Sequence, residues 1–302
     1  MNPNSLIEQM AETKKRTVLI TGSSTGFGRR ATTLFLEQGW RVIATLRNSE
    51  DRIQIFQEEL QKYGEQIQIC SLDVTSSEEI QKISVFIQNK FKNQLDCLIN
   101  NAGYAQVGAL EDLSEEQIRK QMEVNFFGTV LTTQALVPAL IKTKGKIIFI
   151  SSVLGITGMP LVSLYCASKY AVEGFAESLY HELKPFKVPV SIVEPGRFLT
   201  EFGSNILWGM RSFSQTSPYK ESTENYKKFK ESLSHAPHIP NAIQMAKTLV
   251  DLAEMKKMPL RVRCGKDVQA TFWLKRLLPE WMITRIFSIA FQKKYYTLNE
   301  DK

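Results

Sequence analysis

Histidine and cysteine are scarce in this 302-residue chain, which has three of the first and four of the second. No histidine stands in ligand spacing with another His, a Cys or a carboxylate cluster, so the sequence predicts no metal site. Cys70, Cys97, Cys166 and Cys264 lack the close pairs of metal sites and disulfide frameworks, and read as ordinary thiols of a reducing compartment. The longest apolar stretches of the C-terminal tail are too short to span a bilayer. The opening "MNPNSLIEQMAETKKR" lacks the apolar stretch and small-residue cleavage site of a secretory signal. A cytoplasmic protein is expected, with peripheral contact at a membrane surface as an option.

Also missing is any nucleic-acid recognition motif, and no nucleic-acid partner is predicted. The formal charge is +7, but from Lys256 onward eleven Lys or Arg face four Asp or Glu, so the excess belongs to the tail. That tail, "TFWLKRLLPEWMITRIFSIAFQKKYY", suits either an anionic membrane surface or helices packed over a substrate lid or a second subunit.

What the chain does have is 43% hydrophobic residues, enough for a large core, in an alternating pattern. "TVLI", "RVIATL", "IQICSL", "LDCLI", "KIIFI" and "VSIV" are short, β-branched and bounded by turn signals, as buried parallel strands are. Helical stretches lie between them, such as "ATTLFLEQG", stopped by Gly39, and "SSEEIQKISVFIQNKF". The alternation predicts an α/β, doubly wound sheet with helices on both faces and ligands beyond the strands' carboxyl ends. One domain is expected over 1–302, with a core at 14–200, a lid at 201–240 and a helical extension at 256–302. After Thr200 about 35 residues break the pattern before helical character resumes at Asn241.

The first strand runs into "TGSSTGFG", placing Gly22, Ser24, Gly26, Phe27 and Gly28 where a helix opens. Glycines there let backbone amides approach a pyrophosphate, and the helix N-terminus adds partial positive charge. After the second strand comes Arg47, where an NAD site would carry an acid. A planar guanidinium suits a 2′-phosphate, so NADP(H) is expected over NAD(H), with Arg29 or Arg30 as helpers.

Between Thr17 and Thr200 these motifs follow one another as in the classical short-chain dehydrogenase/reductase family, which the chain resembles. The wording "TLRN", "YAVEGFAESLYHELKPF" and "VEPG" is most similar to its hydroxysteroid and retinol dehydrogenase branch. The resemblance implies a mostly parallel, seven-stranded Rossmann sheet. It places Asp73 and Val74 of "LDVT" at the adenine ring, Asn101, Ala102 and Gly103 of "NNAG" after the fourth strand, and Pro195, Gly196 and Thr200 of "PGRFLT" beside the nicotinamide. It also implies a catalytic tetrad of Asn125, Ser152, Tyr165 and Lys169, with Lys169 on the nicotinamide ribose and Asn125 holding a relay water. Family members commonly pair as homodimers or homotetramers through the helices bearing Asn125 and Tyr165.

Tyr-x-x-x-Lys occurs three times, at Tyr165/Lys169, Tyr180/Lys184 and Tyr226/Lys230. Only Tyr165 has a serine thirteen residues before it, and the other two pairs read as contacts on helix surfaces. A positive charge at ~4 Å contributes ~1 kcal/mol in bulk water but ~4 kcal/mol at an effective dielectric near 20. Only the latter brings a phenol towards neutrality, so Lys169 is expected to lower the Tyr165 pKa from a partly dry cleft, helped by the oxidised nicotinamide. Tyr165 then donates a proton to a carbonyl oxygen that Ser152 orients. Phe202, Ile206, Leu207, Trp208, Met210 and Phe213, with the loop from Leu154 to Leu164, are candidates to line an apolar pocket for a hydrophobic ketone, aldehyde or alcohol of steroid, retinoid or lipid type. Two alternatives stand beside this: an acyl-chain ketoreductase, and a non-catalytic NADP(H)-binding regulator, which would be expected to lose a tetrad residue.

Overall fold

A computed structural model describes residues 15–203, 206–233 and 239–295. Positions of the expected lid and extension at 204–205, 234–238 and 296–302, and the first 14 residues, lie outside them. Strands β1 (Thr17–Ile20), β2 (Arg41–Leu46), β3 (Ile67–Ser71), β4 (Cys97–Asn100), β6 (Lys146–Ile150), β7 (Val190–Pro195) and β9 (Arg261–Cys264) form a seven-stranded sheet in the order β3-β2-β1-β4-β6-β7-β9. Every neighbouring pair in it is parallel. The strand order reverses beside β1, which sets a crevice at the carboxyl ends of β1 and β4. Two short strands, β5 (Gln106–Val107) and β8 (Leu207–Trp208), pair above it.

Both sheet faces are apolar, so both carry helices. Against one pack α1 (Gly26–Glu37) and α8 (Ala242–Glu254), through Phe35, Leu36, Met245 and Leu249. Against the other pack α3 (Ser77–Lys90), α5 (Gly128–Thr143) and α6 (Ser163–Leu183), through Ile80, Ile87, Leu140 and Leu179. The shorter α2 (Gln57–Tyr63) and α4 (Glu115–Met122) complete the crossovers. The caps follow local chemistry. Gly39 takes φ 77° after α1, the Ser76 hydroxyl accepts from Glu79 N at the start of α3, and the Asn241 side chain accepts from Ile243 N and Gln244 N to open α8.

The segment read as irregular contains a helix, α7 (Lys220–Leu233). Its buried face is Ser222, Thr223 and Tyr226, so apolar periodicity gave little sign of it. Beyond β9, α9 (Lys266–Leu277) packs against the turn at Val153–Gly155, and α10 (Glu280–Tyr295) packs against α7 of the lid. On α10, Ile283 is buried and Phe287 and Phe291 are half-buried, a stripe at helical spacing turned inward.

Candidate active site

The glycine turn is pinned to the end of β4. The Thr21 hydroxyl accepts from Asn101 N and Ala102 N, both at 2.9 Å, and Asn101 Nδ2 donates to Thr21 O at 2.8 Å and Gly22 O at 2.9 Å. Gly22 has φ 68°, and a Cβ there would lie 2.9 Å from Ala102 Cα, so a side chain meets both backbone strain and a clash. Gly28 leaves no more room: its Cβ would stand 2.5 Å from Gly22 O. At the opening of α1, Gly26 N donates to Glu201 Oε2 at 3.0 Å. The first amide of α1 thus holds a carboxylate oxygen, the kind of acceptor that a helix N-terminus favours. Ser24 is half-buried beside it, and Phe27 packs edge-on to Phe198 with ring centroids 5.3 Å apart.

Past the buried end of β2, Arg47 is exposed, beside Asn48 in a left-handed turn at φ 52°, with no acid between Leu46 and Asn48. Arg29 does not share its role. Glu59 grips its guanidinium bidentately, at 2.7 and 2.9 Å, while Phe56 lies beneath it at 4.7 Å. That pair is largely buried, so Arg29 is committed to structure; Arg30 is exposed. Asp73 shapes its own turn, Oδ1 accepting from Thr75 N at 2.9 Å and Thr75 Oγ1 at 2.7 Å, and the buried Val74 fills the space left by Gly128.

Asn125 sits in a π-helical turn, Glu123–Phe127, that joins α4 to α5, a widening typical of functional positions in helices. Its Oδ1 accepts from Tyr104 N at 3.1 Å, and its Nδ2 donates to Tyr104 O and Ser168 Oγ, each at 3.0 Å. Ser152 follows β6, and its hydroxyl accepts from Leu154 N at 3.1 Å. Tyr165 and Lys169 lie one turn apart on α6, and Lys169 Nζ stands 5.8 Å from the Tyr165 ring centroid. All four side chains are nearly inaccessible to solvent.

In the cofactor-free chain the electrostatics of the Tyr165/Lys169 pair run the other way from that expected. Burial pushes the Lys169 ammonium down to about 8, opposed by the charge of Glu173, and its Nζ donates to Ile150 O at 2.8 Å. Tyr165 is not lowered. Burial pushes its phenol above the ordinary range, with a hydrogen bond to the Ser152 side chain working against that. Desolvation outweighs that hydrogen bond. The tyrosine is therefore firmly protonated at neutral pH.

Ser152, Tyr165 and Lys169 open on a cavity of about 1010 Å³, and Asn125 is hydrogen-bonded to Ser168 on the helix that carries Tyr165 and Lys169. The cavity lining brings Gly103, Pro195, Gly196 and Thr200 together with Leu154, Met159 and Val162 from the segment after β6 and Phe202, Ile206 and Trp208 from the lid. Leu207, Met210 and Phe213, also expected in the lining, are exposed, because in the short β8 strand and the turn after it these side chains face outward. Thr200 Oγ1 also accepts from Phe202 N at 3.2 Å. The extension closes the far wall with Thr271, Phe287 and Phe291, and the Lys275 ammonium ties it to the Ile156 carbonyl.

Two features escaped the sequence reading. The Tyr226/Lys230 pair is no surface contact, since Tyr226 is buried and both residues line the cavity. Beneath α6 lies an ionic cluster: Arg261 Nε stands 3.1 Å from Glu173 Oε2 and Arg263 Nε 3.0 Å from Glu194 Oε2, with Phe272 3.5 Å from the Arg263 guanidinium. The alternation of Arg in "RVRC" was its only sign. Among the described residues no group of three or more His, Cys, Asp or Glu is placed to hold a metal. Burial raises the Cys70 thiol to about 11 and Cys97 to about 12, so neither is reactive near neutrality.

Residues 16–208 match the family described as short chain dehydrogenase. A 3-ketodihydrosphingosine reductase of Bacteroides thetaiotaomicron is 33% identical over 90% of this chain and 98% of its own. Human retinol dehydrogenase 8 is 35% identical over 67% of this chain and 66% of its own. Among solved structures, a short-chain dehydrogenase from Streptomyces avermitilis superposes with a TM-score of 0.76 at 27% identity, covering 93% of this chain and 97% of that one. The glycine turn whose amide holds a carboxylate, the protonated tyrosine with its lysine and the matched core leave one assignment: the chain belongs to the short-chain dehydrogenase family, oxidoreductases that exchange hydride between a nicotinamide dinucleotide and a C–OH or C=O carbon.

Proposed function

We propose that the protein is an NADP(H)-dependent reductase of a hydrophobic ketone or aldehyde, of lipid, retinoid or steroid type. The observation that carries this reading is the burial of a protonated Tyr165 at the wall of an aromatic-rich cavity large enough for such a molecule. The amides opening α1 would hold the pyrophosphate and Arg47 the 2′-phosphate, with Asp73 and Val74 at the adenine and Asn101, Ala102, Gly103, Pro195, Gly196 and Thr200 along the nicotinamide half. The bound cofactor supplies the hydride, which goes to the carbonyl carbon. Ser152 donates a hydrogen bond to the carbonyl oxygen, and Tyr165 Oη gives that oxygen its proton. Lys169 and Asn125 restore the proton and fix the geometry. NADPH consumption, followed by the absorbance of reduced nicotinamide across steroid, retinoid and long-chain lipid carbonyls, tests the reading. Turnover of small polar carbonyls alone would overturn it.

We infer two contacts for the assembly. Phe127, Leu131 and Tyr170 are exposed on the π turn, α5 and α6, an apolar face suited to a second copy of the chain. Trp273, Leu277, Trp281, Ile286 and Ile289 are exposed on α9 and α10 beside Arg276 and Arg285, the mixture that favours an anionic bilayer surface. Sedimentation with and without anionic vesicles reads both, since a monomer boundary would refute the first and no lipid-dependent pelleting at low salt the second.

A further inference from the structure

The cavity wall contributed by the lid is not uniformly apolar. Lys230, one turn beyond Tyr226 on α7, is half-buried and lines the cavity, as does Arg197 from the loop after β7. The Arg197 guanidinium lies 5.6 Å over the Phe229 ring. Among the described residues no carboxylate comes within ion-pair distance of either cation. Two acids share the wall, and both are occupied. Asp267 accepts the backbone N–H groups of Arg197 and Val268, and Glu231 has a contact of its own. Lys227, the remaining lid cation at the cavity, lies over the exposed Phe213 ring. Burial and the charge of Arg197 both push the Lys230 ammonium down, so its charge is held at a cost that a bound anion would relieve.

We propose that Arg197 and Lys230 form a recognition site for an anionic head group on the carbonyl substrate. This rests on the reading of the cavity as the substrate site and narrows it: the substrate is an amphiphile whose chain fills the aromatic wall and whose carboxylate or phosphate meets the two cations. Phosphates of the dinucleotide are a second source of the same chemistry. The substrate is favoured because Lys230 stands on α7 of the lid and the Arg197 guanidinium reaches over Phe229 of the same helix, whereas the phosphate-binding amides are those of the glycine turn, where Gly26 N already holds a carboxylate.

The test uses binding as well as turnover. Wild-type protein with NADP⁺ bound is titrated with a saturated long-chain fatty acid, its methyl ester and the amine of the same length, none of which can be reduced. Lys230→Gln and Arg197→Gln are titrated alongside, and the NADPH Kd of each protein is measured. The acid should bind roughly tenfold more tightly than the ester, and the amine least tightly; each substitution should bring the acid-to-ester ratio towards one and leave the NADPH Kd unchanged. Equal ratios in wild type and both variants overturn the proposal. So does a roughly tenfold loss of NADPH affinity with an unchanged ratio, which would assign the cations to the cofactor. Selective acid binding in a protein that reduces no lipid ketone would sink the reductase reading and keep the anion site.

Discussion

Replacing Lys169 by Met should make the cofactor-free protein more stable while disabling it. The ammonium is buried and held at about 8 instead of its ordinary 10.5. At ~1.4 kcal/mol for each tenfold change, keeping it charged near neutrality costs the fold about 3 kcal/mol. Methionine fills a similar volume without charge but leaves the Ile150 carbonyl without its 2.8 Å donor, a loss of about 1 kcal/mol. The net gain is about 2 kcal/mol, or about 4 °C in Tm. The sign of its pH dependence follows. Between about 8 and 10.5 the unfolded chain holds a proton that the folded one has released, so wild-type stability recovers as pH rises through that window. The advantage of Lys169→Met is therefore full below 8 and fades by 10.5. Paired thermal melts of both proteins without cofactor, at neutral and alkaline pH, measure it. A variant that melts below wild type at neutral pH, or an advantage that does not change with pH, would refute the reasoning.

Three further outcomes are expected. Arg47→Asp should lower the ratio of kcat/KM for NADPH over NADH by about tenfold or more, because an exposed cation suited to the 2′-phosphate becomes an anion; an unchanged ratio contradicts the assignment. Glu201→Gln should tighten NADPH binding by about fivefold in a fluorescence titration, since the carboxylate on Gly26 N competes with the pyrophosphate for that amide; weaker binding would mean that Glu201 assists instead. Arg261→Leu leaves the buried Glu173 without its nearest cation and removes one of the two arginines beside the buried Glu194, and burial already holds both carboxyls above their ordinary range. It should cost about 3 kcal/mol in denaturant melts at neutral pH, with the loss shrinking on acidification as the folded state takes up protons first; a loss independent of pH contradicts this.

Most of the sheet was legible because its strands are buried on both faces, and runs such as "KIIFI" carry that burial in their composition. β9 was not, since Arg261 and Arg263 alternate along it and their partners, Glu173 and Glu194, come from α6 and β7. Motif order named the four residues of the expected tetrad, and the structure brings Ser152, Tyr165 and Lys169 to one cavity, with Asn125 bonded to Ser168 on the helix of the last two. The state of its charges was not, because desolvation depends on packing that residue spacing does not describe. Arg29 illustrates the same limit: an arginine one turn into α1 looks available until Glu59 is folded against it. Tyr226 and Lys230 show the reverse, a spacing dismissed for want of a serine that the lid nevertheless carries to the cavity.

The central claim, that the buried Tyr165 hydroxyl supplies the proton while the rest of the site binds and orients, is tested most directly by single-turnover NADPH oxidation in Tyr165→Phe with a reducible lipid ketone at saturation. The account predicts that NADPH binding persists within about twofold while hydride transfer falls by roughly a thousandfold or more. Hydride transfer near the wild-type rate in that variant would contradict it.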